Sequence, residues 1–211
     1  MIVIINPNST VSMTAAMLAT AKRIVPQSEI LGWTSHDGPP AIQGREDGDV
    51  AVPPLLALIT TANKMGAKAI IIGCFDDTGL SEARAISICP VIGIGQAAYH
   101  LASLACTTFS VVTTLAVSVP ILEKNIASYG LERHLGRVRA SGVPVLALET
   151  DRAQATETVM TEINMAFAED DVGCVVLGCA GMVHIAEASD DFHPRRLIDG
   201  VQAAVQIASF L

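Results

Sequence analysis

Short apolar runs that stop at glycine or at a polar residue recur along this chain, and two of them stop at the same Gly-Cys pair. Residues 70–77 read IIIGCFDD and residues 174–182 read CVVLGCAGM, about half a chain apart. A run that is apolar at every position fits a strand buried on both faces, as in a parallel sheet. In the first half, strands are expected at Ile2–Ile5, Glu29–Thr34, from Ile70 to the Gly-Cys pair, and at Val91–Ile94. Helical spacing links Met13, Met17, Ala21 and Ile24, with Ser9, Thr10 and Ser12 as candidate caps. Pro53-Pro54 opens a helix whose Leu55, Leu58, Ile59, Ala62 and Met65 face inward, with Gly66 to end it, and Asp77 or Thr78 caps a shorter one through Ile86. His36 to Gly48, rich in Gly, Pro and Asp, reads as a loop able to cover a site.

The second half repeats the order. Strands are expected at Phe109–Val112, Val145–Leu148 and Cys174–Gly178, with Leu197 and Ile198 in a last one. Ser118 caps a helix with Pro120 in its first turn; Val159, Met160, Ile163 and Phe167 form a helix stripe; Met182–Ala188 and Val201–Phe210 complete the set. Alternating strands and helices predict an α/β fold of two pseudo-symmetric lobes, each a short, mainly parallel sheet flanked by helices. Ligands of such sheets bind beyond the carboxyl ends of the strands, here in a cleft between the lobes. No linker-like or low-complexity segment separates the halves, so the lobes are expected to be intimate: 1–95 plus 197–211, and 96–196.

Composition narrows the partners. Of 211 residues 51% are hydrophobic and 16% charged, which leaves apolar surface to be buried in a homo-oligomer. A net charge of −8, no dense basic run and few aromatic residues argue against nucleic acid. No apolar run approaches the roughly 18 residues needed to span a membrane, and the first residues lack the basic flank and longer apolar segment of a signal peptide. Five cysteines, an odd number without framework spacing, suit a reducing compartment, and the cytoplasm is expected.

The repeated thiols carry the chemistry. Cys74 and Cys179 each stand at a strand-to-helix turn, where backbone N–H groups and a helix N-terminus lower a thiol pKa from about 8.5 toward neutrality. Two thiols at equivalent ends of two half-chains fit a two-base proton transfer, one removing a proton and the other returning one on the opposite face. Cys89, Cys106 and Cys174 lie in or beside apolar runs and read as packing. Asn6-Pro7-Asn8-Ser9-Thr10 follows a strand and reads equally as a turn with a capped helix or as amide and hydroxyl groups for a substrate; Thr113-Thr114 holds the corresponding place in the second half. Asp76 and Asp77 read as caps for at least one of the two, and neither is assigned a catalytic role.

Other signals do not assemble. Gly93-Ile94-Gly95-Gln96-Ala97-Ala98 matches a dinucleotide fingerprint and follows a strand, but the next strand ends at Thr113-Thr114 instead of an acidic ribose ligand. No Gly-x-x-x-x-Gly-Lys, His-Glu-x-x-His, Cys-x-x-Cys or Gly-x-Ser-x-Gly occurs. The five histidines are scattered, and a Cys179, His184 pair lacks further ligands, so no metal is expected.

The segments INPNST, GCFDD, PVIG, VVTT, PVLALE, GCAGM and IDGV, in this order over nearly the whole chain, resemble the Asp/Glu/hydantoin racemase family, and most of all its hydantoin racemase branch. His193-Pro194-Arg195-Arg196 departs from the more apolar lead expected before the last strand. The resemblance implies a cofactor-independent isomerase that racemises 5-substituted hydantoins, with Cys74 and Cys179 as acid and base and no pyridoxal phosphate. It further implies a pocket lined by Asn8, Ser9, Thr10, Phe75, Thr113, Thr114, Gly178, Ala180 and Gly181. Allantoin racemisation, a related thiol-dependent isomerisation or decarboxylation, and a two-lobed sensor without chemistry are the other readings.

Overall fold

The computed structural model describes residues 1–189 and 196–211. Two four-stranded sheets, parallel throughout, carry the fold. The first has the order β2 (Ile30–Thr34), β1 (Ile2–Asn6), β3 (Ala69–Ile72), β4 (Val91–Gly93); the second repeats it with β6 (Leu135–Ala140), β5 (Phe109–Thr113), β7 (Cys174–Gly178), β8 (Arg196–Asp199). The expected pair of related α/β lobes is therefore present. Between strands run α1 (Val11–Ile24), α2 (Arg45–Lys64), α3 (Leu80–Ile86), α4 (Ile94–Ala105), α5 (Val119–Ser128), α6 (Ala147–Thr150), α7 (Arg152–Glu169) and α8 (Val183–Ser189), and α9 (Gly200–Ser209) follows β8.

The wholly apolar runs become the inner strands because both of their faces are covered. Alternate side chains point to opposite sides of a strand. Ile4, Ile71, Phe109, Val111 and Val176 thus share one core with Met17 of α1, Tyr99 of α4 and Val205 of α9, packed between the two sheets. Ile5, Ile70 and Ile72 turn the other way onto Leu55 and Ile59 of α2, while Val175 and Leu177 turn onto Val159 and Ile163 of α7. Each such fully buried side chain contributes about 1.5–3 kcal/mol. A core common to both sheets fixes the lobes against each other, so the strand ends of both face one cleft.

Several expectations are corrected. The strand expected at Val145–Leu148 is a turn running into α6: Pro144 precedes it, and Val145 O accepts from Leu148 N at 3.2 Å. Its place in the sheet is taken by β6, an edge strand of sequence LGRVRA that an apolar pattern does not disclose. Helix α2 starts at Arg45, not at Pro53-Pro54, which lie within it. The carbonyls deprived of donors by the two prolines belong to Asp49 and Val50, both exposed, so water can serve them. Residues 197–211, grouped above with the first lobe, divide: β8 pairs with β7, and α9 packs on α1 and α4. Cys106 and Cys174, expected as free packing thiols, form a disulfide with Cα atoms 6.2 Å apart, because α4 leads into β5, whose first residue Phe109 pairs with Cys174. Cys74, Cys89 and Cys179 are free. His193, Pro194 and Arg195 lie outside the described residues, while Arg196 opens β8. No helix among the described residues is long and apolar enough to cross a membrane.

Candidate active site

Beyond the carboxyl ends of β1, β3, β5 and β7 lies one small cavity, and both Cys74 and Cys179 line it. Each thiol follows the third strand of its lobe in chain order. Gly178, the last residue of β7, sits so close to β5 that a Cβ there would meet Thr113 Cα at 2.9 Å, so glycine lets the two strand ends converge behind Cys179. Asn8, Phe75, Thr113, Thr114, Gly178 and Ala180 line the same cavity, as the resemblance implies. Met13, Ile42, Gly73, Asp76, Ser118 and Val145 also line it and were missed. Met13 is legible as the first member of the α1 stripe, but its stripe alone does not tell core from cavity.

Ser9, Thr10 and Gly181 are not in the lining; they hold it. Ser9 N donates to Pro39 O at 2.9 Å and Thr10 Oγ1 to Pro40 O at 2.7 Å, which pins the covering loop. Thr10 stands at the N-cap of α1 without a side-chain capping bond. Asn8 does that work from the turn: its Oδ1 accepts from Asn6 Nδ2 at 2.8 Å and from Thr10 N at 2.9 Å. Its Nδ2 faces only the Met13 sulfur, 3.6 Å away, among the described residues. The covering loop reaches across the cleft, where Val145 N donates to Gln43 Oε1 at 3.0 Å. Met13, Ala41, Val145 and Cys179 pack beneath that bond.

The thiols are held differently from the expectation of lowered pKa. Burial pushes Cys74 up to about 12, and the Asp76 carboxylate adds to the rise, against hydrogen bonds from Thr78 and from the Asp76 and Thr78 amides. Burial likewise pushes Cys179 up to about 12, against a bond from the Gly181 amide and with Asp76, Glu149 and Asp199 adding to the rise. The donors foreseen at strand ends are present, and desolvation of the thiolate outweighs them. Both thiols are protonated at neutral pH.

Asp77 explains the dinucleotide-like motif. Its carboxylate accepts from Gly95 N at 3.0 Å, from Gln96 N at 2.8 Å and from Tyr129 Oη at 2.8 Å, so it caps α4 and not α3. A Cβ on Gly93 would collide with Asp77 Oδ1, which is why glycine stands there. The helix N-terminus that would serve a pyrophosphate is occupied by this internal carboxyl. Ser118 likewise does not cap α5 through its side chain; its hydroxyl donates to Asp76 Oδ2 at 3.3 Å. No cluster of three or more metal-ligating side chains occurs among the described residues.

Known proteins match this arrangement over its full length. A family model described as Asp/Glu/hydantoin racemase matches residues 2–208. The chain is 44% identical to a hydantoin racemase of Rhizobium meliloti, over 99% of this chain and 87% of that protein. It is 33% identical to one of Pseudomonas sp. strain NS671, over 97% and 83%. Among solved structures, the allantoin racemase from Klebsiella pneumoniae superposes with a TM-score of 0.96 at 37% identity, over all of this chain and 86% of that one.

Proposed function

The chain belongs to the Asp/Glu/hydantoin racemase family, and we propose that this racemase inverts C5 of 5-substituted hydantoins by passing protons between Cys74 and Cys179. The observation that supports this reading best is the pair of thiols, one from each lobe, lining a single cavity. The C5 proton lies beside a ring carbonyl, so its loss gives an enolate-like anion that hydrogen-bond donors can stabilise without an electron-sink cofactor. Asn8 Nδ2, which faces only a weakly accepting sulfur, is the donor that turns to a ring carbonyl. Phe75, Met13, Ile42 and Val145 form an apolar wall for the C5 substituent. The cavity measures about 30 Å³, room for little more than water, whereas ligand pockets run to roughly 300 Å³ or more. The loops bearing Ile42 and Val145 therefore part at the Gln43 bond to admit a ring.

Protonated resting thiols set the pH response. The base is the thiolate, and below a pKa of about 12 its fraction grows about tenfold per pH unit. We expect kcat/KM to climb at close to that slope between about pH 7 and 9; a plateau starting near pH 7 would show that burial does not govern the working thiol.

Polarimetry on single enantiomers of 5-substituted hydantoins and of allantoin tests the substrate. Loss of rotation with hydantoins supports the reading. The likeness to the Klebsiella allantoin racemase favours allantoin as the second reading, and racemisation of allantoin alone would establish it. Binding with no loss of rotation for any of them would leave a sensor. In the same assay a chelator should leave turnover intact while an alkylating agent abolishes it and substrate protects. Catalysis by two free thiols needs them kept reduced, whereas a reducing compartment disfavours the Cys106–Cys174 disulfide, so the five cysteines do not place the protein in the cytoplasm. Ile88, Leu104 and Phe210, 78%, 86% and 88% exposed, supply apolar surface for a homo-oligomer.

A further inference from the structure

Asp76 is the one carboxylate lining the thiol cavity among the described residues, and the acid–base exchange between two cysteines makes no use of it. It stands at the seam of the lobes. Its chain position follows β3 of the first sheet, directly after Phe75, yet its partners come from the second lobe: Ser118 Oγ donates to Oδ2 at 3.3 Å and Asn125 Nδ2 to its backbone carbonyl at 2.8 Å. One hydroxyl bond leaves acceptor capacity on the carboxylate, since an ionised carboxyl offers about four lone-pair sites. Behind it opens a larger cavity of about 460 Å³, which Asp76 and Asp77 also line, together with Arg45, Asp49, Glu82 and Lys124.

Resting on the hydantoin reading of the substrate, we propose that Asp76 accepts a ring N–H of the bound molecule and that, until it does so, its charge adds to burial in disfavouring ionisation of the two thiols that share its cavity. A hydantoin ring carries N–H donors on either side of its C2 carbonyl, and a bond from N–H to a carboxylate belongs to the stronger class. The charge acts on both lobes at once. Among the described residues, Asp76 is the one charge that adds to burial in raising the pKa of both Cys74 and Cys179; Cys179 also faces Glu149 and Asp199, Cys74 faces Thr78, and Asp77 and Tyr99 lie close by. Burial lifts the Asp76 carboxyl itself to about 6, with the Ser118 bond opposing, so it is ionised at the pH of turnover. A donor from the ring draws on that charge and so eases loss of a thiol proton to solvent where substrate is present. The device spares two free thiols from reacting while the site is unfilled.

Two variants of the full chain separate the two roles. Asp76→Asn removes the charge and keeps an acceptor oxygen; Asp76→Ala removes both. Without substrate, alkylation of Cys74 and Cys179, followed by peptide mapping at pH 8, should run about three- to tenfold faster in both variants than in wild type, the gain in thiolate being partly offset by its weaker nucleophilicity. KM for a hydantoin should rise about tenfold in Asp76→Ala and by less than about threefold in Asp76→Asn. Unchanged alkylation at both thiols in both variants would overturn the charge role, and an unchanged KM in Asp76→Ala the binding role. If Asp76→Ala does not fold, 1-methyl and 3-methyl hydantoins on wild type replace it: one methyl should lower kcat/KM about tenfold, and equal turnover of both with the parent overturns ring recognition. Alkylation needs no substrate, so it tests the charge even where the hydantoin reading fails, a failure that polarimetry on wild type detects by itself.

Discussion

Cys74→Ala and Cys179→Ala should each lower racemisation by about 10²- to 10⁴-fold, the range that a positioned acid or base contributes. The two variants should nevertheless differ in what they still do. The faces of C5 are mirror-related, and a thiol fixed in one lobe reaches one of them. In deuterated solvent the wild type should place deuterium in the product enantiomer at first turnover and leave unreacted substrate largely unlabelled. A variant with one competent thiolate can remove the proton from the enantiomer it faces and return a deuteron to the same face. The two variants should then label opposite enantiomers, slowly, because the missing partner no longer supplies its acid. Near wild-type racemisation by either variant, or exchange of the same enantiomer by both, would sink the two-base mechanism. The high thiol pKa sharpens the test: the surviving exchange should speed up with pH in both variants, since burial acts on each thiol by itself.

The inner strands were legible because both faces are covered, which leaves an apolar run with no alternation to misread. That held for the residues of β1, β3, β5 and β7, buried at every position. It did not hold for β6, where Arg139 is 6% exposed and counts as polar in any pattern although ion pairs let it enter the interior. Val145 and Leu148, apolar and near a strand position, are buried instead as a cavity wall and as the floor beneath α7. Within the site, residue types at strand ends were readable and their surroundings were not. The direction of the thiol pKa depends on how far water is excluded, which is a property of the loop around Ile42 and the turn at Val145 meeting across the cleft. Asp76 and Asp77 are neighbours in sequence with the same side chain, yet one faces the thiols and the other caps α4. A positive φ of 51° at Asp77 turns the chain between them, and no composition rule reports that.

Arg139→Ala should cost about 3–5 kcal/mol of stability, because it leaves a buried carboxylate without its counter-charge. The Arg139 guanidinium grips Asp170 with two prongs, Nε to Oδ2 at 2.7 Å and Nη2 to Oδ1 at 2.6 Å, and also donates to Glu162 at 3.0 Å and Glu169 at 2.7 Å. Asp170 completes the link by accepting from Ser110 Oγ at 2.7 Å, so edge strand β6, inner strand β5 and the end of α7 are tied at one point. The guanidinium holds the Asp170 carboxyl below its usual range. A depressed carboxyl stabilises the fold above the unfolded pKa of about 3.9, and that contribution is lost as pH falls through the folded value. Without Arg139, Asp170 keeps only the Ser110 bond and the charge of Arg137, and most of the lowering of its carboxyl is lost. The penalty of the variant, read from urea midpoints against wild type, should therefore be full at pH 7 and shrink only as pH falls below about 4. Arg139→Lys, which keeps the charge and loses the fork, should fall between the two. A loss under about 1 kcal/mol at pH 7 in Arg139→Ala, or a penalty that grows on acidification, would show that the cluster does not fasten β6 to the sheet.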